Sequence, residues 1–332
     1  MKSGLVVIWL AAALLLAACG DGGQPAATPE PDATAEPSGT PASGTVTPTE
    51  EPASTPAASA AGKIAFSSDR LGPFNAQIYV VNADGTGLTR LTDTGTPESQ
   101  PTWSPDGTRI AFTSTRDGNV LTPEIYVMNS DGSDQTNLTN HPASDQTPAW
   151  SPDGARIAFA SDREGNFDIH VINVDGSGLT NITRNPAGDA APAWSPDGTR
   201  IAFVSDRDGN SEIYVMNSDG SDAIRLTDEP GFDSNPTWSP DGTRIAFVSD
   251  RDGNTEIYVM NSDGSDQTNL TSDPASDLTP TWSPDGARIA FASSRDGARL
   301  DIIVMNTDGS SPTNITQDAN HDDSFPAWSP GQ

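Results

Sequence analysis

The segment Trp238 to Asp266, WSPDGTRIAFVSDRDGNTEIYVMNSDGSD, repeats the segment Trp194 to Asp222 at every position but one, where Ser211 stands against Thr255. Looser copies begin at Trp103, Trp150 and Trp282, and a last fragment, Trp328-Ser329-Pro330, closes the chain. Successive tryptophans are therefore 47, 44, 44, 44 and 46 residues apart. A unit of this length cannot bury its apolar face alone and must stack on its neighbours. A period in the mid-forties, with several short strands in each unit, predicts a β-propeller.

Turn chemistry divides the unit into strands. Pro236-Thr237-Trp238 reads as a short first strand, and Ser239-Pro240-Asp241-Gly242 as a turn with Pro second and Gly fourth. Arg244 to Ser249 (RIAFVS) is a second strand rich in β formers, and Asp252-Gly253-Asn254 turns the chain into a third, Glu256 to Asn261 (EIYVMN). After Ser262-Asp263-Gly264-Ser265, the triplet Asn269-Leu270-Thr271 makes a weak outer edge. No window supports a helix, because Gly, Pro or Asp interrupts each one within a turn or two.

Ile-Ala-Phe occurs at 64, 110, 157, 201, 245 and 289, yet the first copy has no Trp-Ser-Pro before it and Trp328 has no Ile-Ala-Phe after it. Phe325 to Trp328 is therefore expected to supply the missing first strand of the blade begun by Lys63 to Thr92. Strands from both ends of the domain would then seal the ring and remove open sheet edges. The expected fold is all-β: six four-stranded antiparallel blades over residues 63–332. Every Trp in this region takes one blade position, packed between blades.

The consensus WSPDGxRIAFxSDRDGNxEIYVMNxDGS resembles the repeat of the TolB-type six-bladed propellers, akin to WD-repeat blades, and the resemblance covers Lys63 to Gln332. It implies an envelope protein that binds other proteins. In place of the separate N-terminal domain of TolB proteins, this chain carries a different leader. Met1-Lys2 precedes an apolar run from Leu5 to Ala17, which is shorter than the roughly 20 residues a membrane helix needs. A charged start, a short apolar run and small residues describe a secretory signal over residues 1–18. Leu16-Ala17-Ala18-Cys19 resembles the bacterial lipobox, which implies a multiply acylated Cys19 at the head of the mature protein. Cys19 is the only cysteine, so no intrachain disulfide can form. Residues 19–62 then hold Pro, Ala, Thr, Ser, Gly and Glu with no aromatic, Lys or Arg. Such a segment buries too little apolar area to offset its ordering entropy and reads as a tether. These features predict export and lipid anchoring to the outer face of a bacterial membrane.

The propeller holds 40 acidic and 16 basic residues, a formal charge of −24. Twelve of the basic residues occupy two repeat positions: before Ile-Ala-Phe (Lys63, Arg109, Arg156, Arg200, Arg244, Arg288) and after that strand (Arg70, Arg116, Arg163, Arg207, Arg251, Arg295). Almost no basic surface remains, which argues against nucleic acid as a partner and leaves membrane contact to the anchor.

Five residues before each tryptophan comes an acid: Glu98, Asp145, Asp189, Asp233, Asp277 and Asp323. The first strand of a propeller blade is innermost, so these carboxylates are expected to ring or approach the channel mouth. One reading is a collar for calcium or a cationic or sugar ligand, since hard cations prefer several oxygens. The other ties each carboxylate to the arginine that ends the second strand, or uses it to cap the connecting turn. The hairpin sequence Asp250, Asp252, Asn254, Glu256 is similar to a calcium loop, but its Gly arrives too early for the EF-hand order and Asp-Gly-Asn is ordinary hairpin chemistry.

An enzyme is not expected. No G-x-S-x-G elbow occurs, and His141, His170 and His321 are scattered, so a polysaccharide-acting enzyme is the remote alternative. Two consecutive hairpins depart from the repeat, Leu71 to Gln77 and Val120 to Glu124. They place Leu71, Phe74, Val120 and Leu121 on one acidic face, either as a contact patch or as padding of longer loops. The chain reads as a monomeric, non-enzymatic scaffold for a protein or an envelope polymer, with no cofactor required.

Overall fold

A computed structural model describes residues 62–117 and 121–331. The signal sequence, Cys19, the tether to residue 61, and Val120 lie outside the described residues. The described chain is six four-stranded antiparallel sheets. In the fifth blade the inner strand is Asp233–Trp238, followed by Arg244–Ser249, Glu256–Asn261 and the outer Thr268–Asn269. The equivalent inner strands of blades two, three, four and six are Glu98–Trp103, Asp145–Trp150, Asp189–Trp194 and Asp277–Trp282.

Blade one takes its inner strand, Asp323–Trp328, from the C-terminal end and pairs it antiparallel with Lys63–Ser68, Ile64 opposite Trp328 and Ser68 opposite Asp323. The ring is closed as the unmatched repeat ends predict.

The second strands carry a continuous apolar run rather than alternation because blades cover both of their faces. Ile245, Ala246 and Phe247 are each 0% exposed, as are their counterparts in the other blades. The inner strands differ from the sequence reading. Each begins at its acid, three residues before the expected Pro, and each contains a register shift, in blade five between Ser234 and Thr237. Pro236 has no N–H for the ladder, and Asn235 bulges with φ 50°, so the half of the strand before Pro does not read as β. The outer strand shrinks to two residues.

Blade meets blade through the tryptophans. The Nε1 of Trp238 donates to the carbonyl of Ala193 in the previous blade at 3.2 Å, and the guanidinium of Arg200 lies 4.6 Å from the indole centroid. Arg109, Arg156, Arg244 and Arg288 cover Trp150, Trp194, Trp282 and Trp328 in the same way. Such cation–π contacts are worth about 0.5–2 kcal/mol each. At the periphery, a Cβ on Gly220 would come within 2.0 Å of the Ile182 carbonyl, so this turn can approach its neighbour only as glycine.

Candidate functional site

Inner-strand acids and the arginines two residues beyond the ends of the second strands meet on one face of the ring. Arg163 Nη2 reaches Asp145 at 2.8 Å, Arg207 reaches Asp189 at 3.0 Å, Arg251 reaches Asp233 at 2.9 Å, and Arg295 reaches Asp277 at 2.8 Å. Arg116 pairs with Glu98, and Arg70 pairs with Asp323. All six carboxylates are 0% exposed. Each arginine is itself fixed; Arg251 Nε donates to Ser249 Oγ at 2.8 Å while its guanidinium lies 4.8 Å from the Tyr258 ring. Burial costs more than the pairing returns, so the carboxyls of Asp189, Asp233 and Asp277 are pushed up from the usual range, and that of Asp323 to about 6. Acids so enclosed present no free oxygens to solvent.

A second acid begins most third strands: Glu124, Asp168, Glu212, Glu256 and Asp301, with Gln77 in blade one. They too are buried. Asp168 accepts from Thr183 Oγ1 at 3.0 Å and the Asn185 amide at 3.1 Å, and Glu212 alone gains an arginine, Arg225 at 2.7 Å. In the calcium-like hairpin the four candidate side chains, Asp250, Asp252, Asn254 and Glu256, are all occupied locally. Asp250 accepts the Phe232 amide at 2.7 Å, and Asp252 accepts from the Tyr258 hydroxyl and Asn269. Asn254 donates to Glu256 and to the Asp273 and Ala275 carbonyls, and Glu256 accepts the Asp273 amide. Among the described residues, no group of three or more His, Cys, Asp or Glu is arranged to hold a metal ion.

The histidines stay apart. His170 replaces the blade tyrosine, packs 5.9 Å from Phe159, and is held neutral further below its ordinary range by burial. His321 Nδ1 bonds Asp318 at 2.9 Å, which in turn meets Arg70 Nε at 3.0 Å. His141 Nδ1 accepts the Ala143 amide at 3.1 Å.

The residues that line the central channel are not among those the sequence reading names as candidate site residues. A cavity of about 130 Å³ is lined by the third and fourth residues of the six inner strands, Gln100, Thr147, Ala191, Asn235, Thr279 and Phe325, each followed by proline. All six bulged residues have left-handed φ, from 49° at Ala191 to 56° at Gln100. A signal existed. In repeats that otherwise match closely, the residue two after the acid takes five identities across six blades.

A family model described as the TolB beta propeller domain matches residues 39–141, 121–190 and 185–332. The chain belongs to the TolB β-propeller family. Among solved structures it is similar to TolB from Acinetobacter baumannii, at 26% identity and TM-score 0.68 over 81% of this chain and 67% of that one. A putative TolB from Agrobacterium tumefaciens matches at 23% identity and TM-score 0.64, over 81% of this chain and 99% of that one. An oligogalacturonate lyase solved with manganese shares the fold at 15% identity and TM-score 0.51, over 77% and 74% of the two chains.

In this TolB-type propeller, the hairpins between second and third strands lie on the same face as the buried acids. Leu71 is 42% exposed, Phe74 66% and Leu121 79%, in the hairpins of blades one and two. Phe74 is held at φ 67°, which is costly for a non-glycine residue and turns an aromatic ring outward.

Proposed function

We propose that this protein is a non-enzymatic, lipid-anchored scaffold of the bacterial envelope that binds a protein, or an envelope polymer, through its hairpin face. The observation that carries the reading is the exposure of Leu71, Phe74 and Leu121 in adjacent hairpins of an otherwise acidic propeller. Large apolar side chains grouped on a polar surface mark contact sites. Membership in the TolB family supports a binding role. The acids that could have served a ligand are engaged by arginines, and the histidines do not converge, so a scaffold accounts for the site better than catalysis.

Anchoring rests on Cys19 and the residues before it. Export and acylation would hold the propeller at the membrane by the 43 residues between Cys19 and Lys63.

The test is site-specific photocrosslinking in cells from position 74 or 121, with position 224 on the outer edge as control. A partner captured from 74 and 121, and lost in the Leu71→Ser/Phe74→Ser/Leu121→Ser variant at unchanged melting temperature, supports the reading. Equal capture from all three positions sinks it. Cys19→Ala should move the protein from the membrane to the soluble fraction.

A further inference from the structure

The face that carries the apolar hairpins is unevenly charged. The hairpins of blades one and two and the connections that follow them hold three acids, and each is engaged. Asp69 accepts the Asp322 amide at 2.8 Å, Asp93 pairs with Arg90 at 2.8 Å, and Asp117 accepts from the Tyr126 hydroxyl and Asn137. The same loops of blades four and five hold seven acids. Their hairpin arginines, Arg207 and Arg251, are taken by the buried Asp189 and Asp233. Arg225, at the edge of blade four, is divided among Asp208, Glu212 and Asp228.

Negative charge is therefore left in excess there. Asp208, Asp228 and Glu229 are all exposed, and Arg225 and Arg251 stand 3.9 Å from Asp208 and Glu229, beyond hydrogen-bond reach. In a ring of six blades, blade four stands opposite blade one and blade five opposite blade two. An apolar half and an acidic half of one face thus oppose each other across the channel mouth.

We infer that the partner is a basic protein, laid across the mouth with apolar side chains over Leu71, Phe74 and Leu121 and with lysines or arginines over blades four and five. This rests on the scaffold reading above and adds the partner's chemistry to it. The apolar hairpins supply the area that water leaves on docking. The opposed acids steer a cationic surface in and fix its rotational setting, and they repel an anionic polymer. Because these acids are exposed, their effect is screened by salt.

The experiment places a photocrosslinking residue in the full chain at position 74 or at position 230, beside Glu229, and irradiates washed envelopes at about 50 and about 300 mM NaCl. Dodecalysine and dodecaglutamate serve as competitors. The same protein should be captured from both positions, through a segment of net positive charge at 230. Capture from 74 should fall about fivefold or more at the higher salt, with dodecalysine, and in the variant Asp208→Asn/Asp228→Asn/Glu229→Gln. Dodecaglutamate should leave it unchanged. So should Asp84→Asn/Asp175→Asn/Asp308→Asn, which removes three exposed acids from the opposite face. Both variants should keep the melting temperature, and the salt and competitor arms need no variant. Capture from 74 that is indifferent to salt and dodecalysine, that both variants weaken equally, or that is joined at 230 by a different protein or an acidic segment overturns the basic partner and leaves the scaffold reading standing. No capture from 74 overturns both.

Discussion

The guanidinium of Arg70 donates from Nη1 and Nη2 to the two carboxylate oxygens of Asp323, at 2.9 and 2.8 Å. These residues are 253 positions apart; Asp323 begins one of the two strands that close the ring, and Arg70 lies two residues beyond the other. Closing so long a loop is entropically costly, so the junction needs more than a ladder. Arg70→Met leaves the Asp323 carboxylate buried without its cation. Unpairing a buried ion of this kind costs about 3–5 kcal/mol, and urea denaturation at neutral pH should show a loss of that size. The double variant Arg70→Met/Asp323→Asn should lose less than Arg70→Met alone. A loss below about 1 kcal/mol for the single variant would mean that backbone pairing alone seals the propeller.

The buried carboxyls set an unusual pH dependence. Glu124, Asp189, Asp233, Asp277 and Asp323 all titrate higher in the fold than in the unfolded chain, chiefly because of burial. Between the unfolded value of 3.8 and the folded value of about 6 for Asp323, the native state holds more protons. Stability therefore rises as pH falls through that window. His170, shifted down by burial, opposes the trend within this window. The turn aspartates Asp106, Asp197 and Asp241, held at about 2 by their Ser and Thr neighbours, lose their contribution only in stronger acid. Thermal unfolding from pH 7.5 to 3 should peak between about 4 and 6. Asp323→Asn should flatten the limb between pH 4 and 6. A monotonic fall from pH 7.5 downward would contradict this account.

What the sequence discloses here follows from repetition. The strand order, the blade count and the closure by Phe325 to Trp328 are legible because each turn residue is tested six times over. The pairing of acids with arginines was legible only as one of two readings, since spacing along a strand does not say which side chains share a face across a bulge. The bulge itself hides behind Pro236 and Asn235, neither of which favours a strand. The channel residues are hard to find in the sequence because a repeat displays what stays constant. Gln100, Asn235 and Phe325 matter through their differences.

Blade three contains a paired exchange. Blades two, four and five bond the third-strand tyrosine hydroxyl to the hairpin aspartate, Tyr126 to Asp117, Tyr214 to Asp208 and Tyr258 to Asp252. In blade three a shorter ring, His170, faces a longer acid, Glu164, with Nε2 3.9 Å from Oε1. The two changes compensate in reach. His170→Tyr alone should lose stability because the hydroxyl collides with the longer acid, and Glu164→Asp alone should change little, because Glu164 is largely exposed. Together they recreate the bond of the other blades. A double-mutant cycle should return a favourable coupling of about 1–2 kcal/mol, and additive effects would show that the two positions are independent.

The bulged inner strands store strain that one substitution can measure. Ala191 has φ 49°, a conformation that costs an ordinary residue about 1–2 kcal/mol. Gln100, at the same position in blade two, offsets that cost with hydrogen bonds to Thr147 and Thr113. Alanine has no such group. Ala191→Gly relieves the strain at an entropic cost of about 0.5–1 kcal/mol, so a net stabilisation of a few tenths to about 1 kcal/mol is expected in urea. Asn235→Gly should gain less, because asparagine already tolerates the left-handed region. If Ala191→Gly destabilises instead, the methyl group contributes more by packing on the channel wall than the backbone loses by strain, and the bulge is held by its neighbours rather than tolerated by them.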